Sequence, residues 1–323
     1  MRRRDFIALV GGAATLPLAL RAQQSSKLPQ VGILNYAADD DIRVRQFRTA
    51  LRELGYIEEK NVAITVRSAG GALDQLAALA DKLVADKVNV IVALGPAVWA
   101  AKRATTTIPI IIAFSGDPVG DGVVPSLARP GGNLTGFSYM STDLAAKRLE
   151  LLSEAFSRNK RIGVLYNPGE PATKREMEST LAAGRSIGVT VIPIPAQDVA
   201  QLEGAFQAAV AENTDGLIVF THGFAVLGRA RIMELAASHR LPVMYGWRDF
   251  VDEGGLMSYG PNIEILVRRA AIYVDRIIKG VNPSDLPIEQ PTRLQLVVNL
   301  KTAKAQGLTI PPAVLARADE IVE

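Results

Sequence analysis

The chain alternates between two apolar rhythms, and this alternation constrains its fold more than any other feature. Short unbroken apolar runs, QVGILNY (30–36), NVAITVR (61–67), VNVIVAL (88–94) and IPIIIAF (108–114), have the pattern of strands buried on both faces. Between them, DIRVRQFRTALRELGY and ALDQLAALADKLVADK repeat apolar residues at i, i+3, i+4 and i+7, the stripe of an amphipathic helix. Strands and helices in turn imply βαβ units on a parallel sheet. The rhythm breaks in the Pro/Gly-rich stretch ARPGGNLTGFSYMS, where Ser141 or Thr142 is placed to cap a helix starting near Asp143. It then restarts, with strands expected at 161–167, 188–194, 215–221 and 241–246 and helices at 172–186, 198–212 and 225–239.

The chain therefore reads as two similar α/β halves. A long helix follows at 262–280, then a strand in RLQLVVNL (293–300) and two short helical stretches. A tail of that length suggests a return to the first half, so that several crossings join two lobes around a cleft. The expected division is a leader at 1–22, a first lobe at 28–137 plus 261–288, a second lobe at 143–257, and a crossing strand with closing helices at 289–323. Hinge strands are expected near 136–140, 257–261 and 288–298. The fold class is α/β, two Rossmann-like lobes with parallel sheets joined by a multi-strand hinge.

The first residues read as an address. Arg2, Arg3 and Arg4 precede an apolar run from Phe6 to Leu20. At about 15 residues it is shorter than the roughly 20 a spanning helix needs, and matches a signal-peptide core. Arg-Arg-x-Phe resembles a twin-arginine export signal, and Ala22 offers a cleavage site. With no cysteine in the chain, there is no disulfide, thiol nucleophile, Cys-based metal site or lipid-attachment residue. The expected location is the periplasm, free of a lipid anchor. A net charge of +3, partly owed to the leader arginines, gives no argument for nucleic-acid binding.

In open parallel sheets, ligands bind beyond the carboxyl ends of the strands. Those positions hold Asn35, Tyr36, Pro96, Ala97, Trp99, Ser115, Gly116 and Asp117 in the first half. The second half supplies Tyr166, Asn167, Thr221, His222, Trp247 and Asp249, and the crossings add Ser138 and Tyr259. Twelve of the 18 aromatic residues fall in such loops, both tryptophans among them, which points to a cleft walled by flat apolar faces. The competing use of those rings is to plug contacts between the lobes. SGDPVGDG lacks the ending of a phosphate-binding loop; Ser115 and the N–H groups after it are placed to hold an anion, with Asp117 orienting the loop. GPAVW, opening a helix, offers further N–H donors to a carboxylate.

Catalytic chemistry finds little support. Of two histidines, His239 ends a helix, and His222 faces either a ligand or a loop partner. No GxSxG elbow, HExxH or carboxylate–histidine metal set is present, so neither enzyme, metal nor cofactor is expected. The acidic runs at 39–41 and 252–253 read as solvated helix ends.

Three long stretches carry a resemblance: SGDPVGDGVVPSLARPGGNLTGFS, RLPVMYGWRDFVDEGGLMSYGPN and VNLKTAKAQGLTIPPAVLARADEIVE. They are similar to the ABC-transporter substrate-binding proteins, in the branch that includes tryptophan and phenylalanine binders. The resemblance implies a type I periplasmic binding protein fold with three crossings and no catalysis. It implies a small-molecule ligand, an ABC importer permease in the inner membrane as partner, and a monomer. It also places a ligand carboxylate against Ala97 with its neighbours and Ser115, and an ammonium against an acid of the second lobe. Thr221 and His222 stand where that acid is first sought, leaving Asp249 to supply the charge. A small aromatic or apolar carboxylate or amino-acid-like ligand is the expectation. A periplasmic sensor built on the same module is the alternative, separable by a neighbouring permease or ATPase gene.

Overall fold

The computed structural model describes residues 28–156, 161–221 and 223–323. The leader read at 1–22 lies outside them. No helix among the described residues is long and apolar enough to cross a membrane. The strands are β1 (Gln30–Asn35), β2 (Ala63–Ser68), β3 (Val90–Leu94), β4 (Ile110–Ser115), β5 (Leu134–Ser138), β6 (Arg161–Tyr166), β7 (Thr190–Pro195), β8 (Gly216–Val219), β9 (Val243–Tyr245), β10 (Met257–Gly260), β11 (Ile288–Glu289), β12 (Gln295–Asn299) and β13 (Glu320–Val322). The helices are α1 (Ile42–Glu53), α2 (Leu76–Ala85), α3 (Ala97–Ala104), α4 (Ser141–Ala155), α5 (Pro171–Ile187), α6 (Leu202–Ala211), α7 (Gly223–Leu227), α8 (Arg229–Ser238), α9 (Arg248–Asp252), α10 (Ile263–Ile278), α11 (Leu300–Ala305) and α12 (Pro312–Leu315).

Two sheets result. The first runs β2-β1-β3-β4-β5-β11, all parallel, and the second β7-β6-β8-β9-β10-β12-β13. Within the second, only the β10–β12 pairing is antiparallel. Each half is a doubly wound α/β unit in which strand order reverses beside its first strand, between β1 and β3 and between β6 and β8. Ligands of such sheets sit at that reversal, outside the carboxyl ends. β3, in the middle of its sheet, is apolar and buried throughout (VIVAL). Helices cover both faces of a parallel sheet, so neither face meets water. Each buried Val, Leu or Ile contributes about 1.5–3 kcal/mol.

Local chemistry sets the helix ends. Asp41 caps α1 by accepting from the Arg43 N–H, and Asn262 caps α10 by accepting from the Glu264 N–H. α5 opens on a proline and ends at Gly188, whose φ of 71° is the left-handed closure glycine tolerates. α4 departs from expectation: Ser141 is its first residue, not its cap. Left-handed Met140 (φ 58°) precedes it and makes no side-chain cap.

Three segments cross between the sheets, after β5, after β10 and between β11 and β12. α10 packs on α1 and beneath β4, in the first lobe, and β11 then pairs with β5. The final stretch, 289–323, adds β12 and β13 to the second sheet. Among the described residues, Arg148 of α4 is one of the largest fully buried side chains. Its Nη1 donates to Glu176 Oε1 of α5 at 3.0 Å, and Nε donates to the carbonyl of Tyr259, near the end of β10 where the second crossing begins, at 2.9 Å. Burial pulls this guanidinium below its ordinary value and the Glu176 charge holds it up. Removing one partner of such a pair strands a buried charge, at about 3–5 kcal/mol. Glu176→Ala is therefore expected to lower the unfolding free energy from urea titration by about 3–5 kcal/mol, and the paired apolar replacement Arg148→Met with Glu176→Leu to recover most of it. A Glu176→Ala protein as stable as wild type would remove the pair from the account of the hinge.

Candidate functional site between the lobes

The carboxyl ends of both sheets face one another across a cavity of about 430 Å³, within the range of small-molecule sites. From the first sheet come Asn35–Ala37 after β1, Leu94–Pro96 after β3, and Ser115 and Gly116 after β4; Trp99 adds a ring from α3. From the second come Gly169, Glu170 and Ala172 after β6, Thr221 and Gly223 after β8, and Trp247 after β9. These are the two strand-order reversals, brought face to face.

Rings from both lobes join in its wall. Trp247 meets Phe114 at 5.6 Å and Tyr139 at 5.5 Å, both edge to face, the favoured geometry for aromatic pairs. Arg43 lies against this cluster, 5.7 Å from the Phe114 ring and 5.8 Å from Trp247. Its guanidinium is aimed by a bidentate pair with Asp41, at 2.8 and 2.6 Å. Asp41 is thus buried, contrary to the solvated reading of the 39–41 run; Asp39 and Asp40 are exposed. Leu73, Leu76 and Leu94 line the cavity too, and Arg103 completes it.

Two glycines allow the lobes to meet. A Cβ at Gly223 would lie 2.6 Å from the Tyr36 ring, and one at Gly71 would lie 2.5 Å from Leu227. In each pair a bulky side chain of one lobe rests on a bare backbone of the other.

Of the sequence candidates, Asn35, Tyr36, Pro96, Trp99, Ser115, Gly116, Thr221 and Trp247 stand on the cavity wall. The others described do not. Ala97 is buried beneath its helix turn; at that end Pro96 has no N–H and the Val98 N–H donates to the Gly95 carbonyl. Asp117 accepts from the Gly120 N–H at 2.8 Å and pairs across the lobes with Arg175 at 3.5 Å. Ser138 donates to the Gly116 carbonyl. Tyr166 packs against Phe220, Asn167 ties its own turn, and Tyr259 serves through its carbonyl. Asp249 lies in a second, more polar cavity that shares Ala37, Arg43 and Val226 with the first. There Arg229 stands 4.0 Å away; burial raises the Asp249 carboxyl, opposed by Arg43 and Arg229. His222 lies outside the described residues. His239 ends α8 and stacks on Phe206.

An acid of the second lobe does line the cavity: Glu170, only 5% exposed, in the turn between β6 and α5. Asp121 adds a first-lobe carboxylate to the same cavity. The signal was present in YNPGEPAT: an acid between two prolines at the carboxyl end of the strand where order reverses. The Tyr36 phenol is pushed up to about 12, first by burial and then by the Glu170 charge. A phenol that keeps its proton above the ordinary value of about 10 contributes stability that is intact below pH 10 and lost as pH rises towards 12. Tyr36→Phe is expected to flatten that alkaline loss in urea titrations between pH 9 and 12, an outcome excluded if both proteins lose stability in parallel.

Comparison with known proteins places this geometry. Residues 33–322 match the family described as ABC transporter substrate binding protein. A tyrosine-binding protein of Clostridioides difficile is 30% identical over 261 residues, 80% of this chain and 74% of that one. A conserved domain protein from Vibrio cholerae superposes with a TM-score of 0.84 at 29% identity, covering 91% of this chain and 100% of that one. The ABC domain from Streptococcus pneumoniae in complex with L-Trp gives 0.82 at 25% identity, covering 90% and 100%. The ligand-free, open structure of a substrate-binding protein with adhesive properties from Clostridium difficile gives 0.64 at 26% identity, covering 91% and 99%. At nearly equal identity the overlap is greater with the complex, in keeping with lobes that touch through Tyr36, Phe114 and Trp247. A two-lobed α/β chain matched over nearly its whole described length in this way belongs to the ABC transporter substrate-binding proteins, a family of binding proteins rather than enzymes.

Proposed function

We propose that this protein captures an aromatic amino acid in the inter-lobe cavity and delivers it to the permease of an ABC importer in the inner membrane. On this reading it acts as a monomer in the periplasm, after loss of its leader and without a lipid anchor. The observation that carries the ligand class is the pairing of unlike walls. Trp99, Phe114, Tyr139 and Trp247 give ring faces and edges, while Glu170 gives a carboxylate from the second lobe. An aromatic side chain suits the first and an α-ammonium the second. The α-carboxylate is left to Ser115 and Gly116. The printed ligands of two relatives, tyrosine and L-Trp, support the same class.

Calorimetric titration with L-tryptophan, L-tyrosine and L-phenylalanine tests this directly. At least one is expected to bind, and Glu170→Gln to weaken it by about 1.5–3 kcal/mol, the scale of a hydrogen bond to a charged group. Tryptophan emission is expected to change on binding, because both tryptophans line the cavity. Failure of all three amino acids to bind, or indifference of the bound one to Glu170→Gln, would overturn the ligand class.

A further inference from the structure

Asn167 and Thr173 are buried, at 3% and 1% exposure, and neither lines the cavity. Both hold the turn that carries Glu170. Asn167 Oδ1 accepts from the Gly169 N–H at 2.8 Å, and Asn167 Nδ2 donates to the Gln197 carbonyl at 3.0 Å, tying the turn to the end of β7. The Asn167 carbonyl accepts from the Glu170 N–H at 3.1 Å. The Thr173 hydroxyl lies 2.8 Å from the carbonyls of both Asn167 and Glu170, so its single proton is shared between them. Pro168 and the proline opening α5 restrict the backbone on either side of Glu170.

Glu170 occupies the N-cap of α5, a position where Ser, Thr, Asp or Asn would fold back on the first helical N–H groups. Its side chain makes no such bond and stands in the cavity wall instead. Pre-ordering a charge in this way matters most for a ligand that carries the opposite charge at that point.

We propose that Asn167 and Thr173 are positioning residues that set the cleft's preference for amine-bearing ligands over their desamino analogues, by fixing the Gly169–Glu170 turn. This rests on the reading of Glu170 as the ammonium partner. The test compares L-tryptophan with 3-indolepropionate, by calorimetry, on the full mature chain. Thr173→Val is expected to lower the preference for L-tryptophan about tenfold while leaving 3-indolepropionate within about twofold of wild type. Thr173→Ser, which keeps the hydroxyl, is expected to retain the preference. Asn167→Ala removes the other tie and is read by the same ratio, independently of whether the valine variant folds. In the Glu170→Gln background, Thr173→Val is expected to cost no further preference, because the positioned charge is already gone. Equal losses for both ligands in the two positioning variants, or an additive double variant, would overturn the proposal and leave Glu170 in place. An unchanged ratio in Glu170→Gln alone would overturn the reading of Glu170, and the proposal with it.

Discussion

The buried pair between Arg148 and Glu176 is the interaction on which the two-lobed arrangement turns. Arg148 belongs to the helix that begins as soon as the first crossing ends, and its guanidinium reaches back to the Tyr259 carbonyl of β10, at the start of the second crossing. Glu176 belongs to the helix whose first turn displays Glu170. One guanidinium thereby holds two crossings and the acid-bearing helix in a common frame. With both side chains almost wholly excluded from water, each charge is tolerated only because the other is there. That dependence makes the joint specific in geometry, since neither group can drift to solvent.

Around this joint the cleft is chemically lopsided. Rings and leucines take up much of its wall, and in such surroundings a carboxylate acts on a neighbouring charge more strongly than it would in water. Arg43 marks the border between the apolar cavity and the more polar one beside it. Its bond to Asp41 keeps it from being drawn into either, and its flat face lies against Phe114 and Trp247. The cation thus serves as part of an aromatic wall.

Much of this was legible beforehand, for a physical reason. Strands covered on both faces must be apolar throughout, so VNVIVAL and IPIIIAF announced themselves, and β3 and β4 lie within them to within a residue or two. The helix expected at 225–239 is broken at Gly228 into α7 and α8. β13, three residues long, offered too short a pattern to read. Side-chain direction was the weak point at the site. Being next to a strand end does not say which way a residue faces, and Ser138, Tyr166 and Tyr259 turn to the backbone or the core. Asp41 looked like part of a solvated helix end, because nothing in an acidic run shows that Arg43 will pair with it beneath a tryptophan more than 200 residues away. Glu170 was passed over because its value depends on where a turn points.

All the parallel strands aim their carboxyl ends at the cleft, so their opposite ends face outward. β1 therefore starts at the far pole of the first lobe. β13, running with β12 against β10, leaves the second lobe at its own far pole. Gln30 and Val322 are in effect the two handles of a pair of jaws. In a chain without cysteine, a thiol introduced near each handle could carry a donor and an acceptor dye. Their separation would then follow the opening angle from outside, with no label near the ligand.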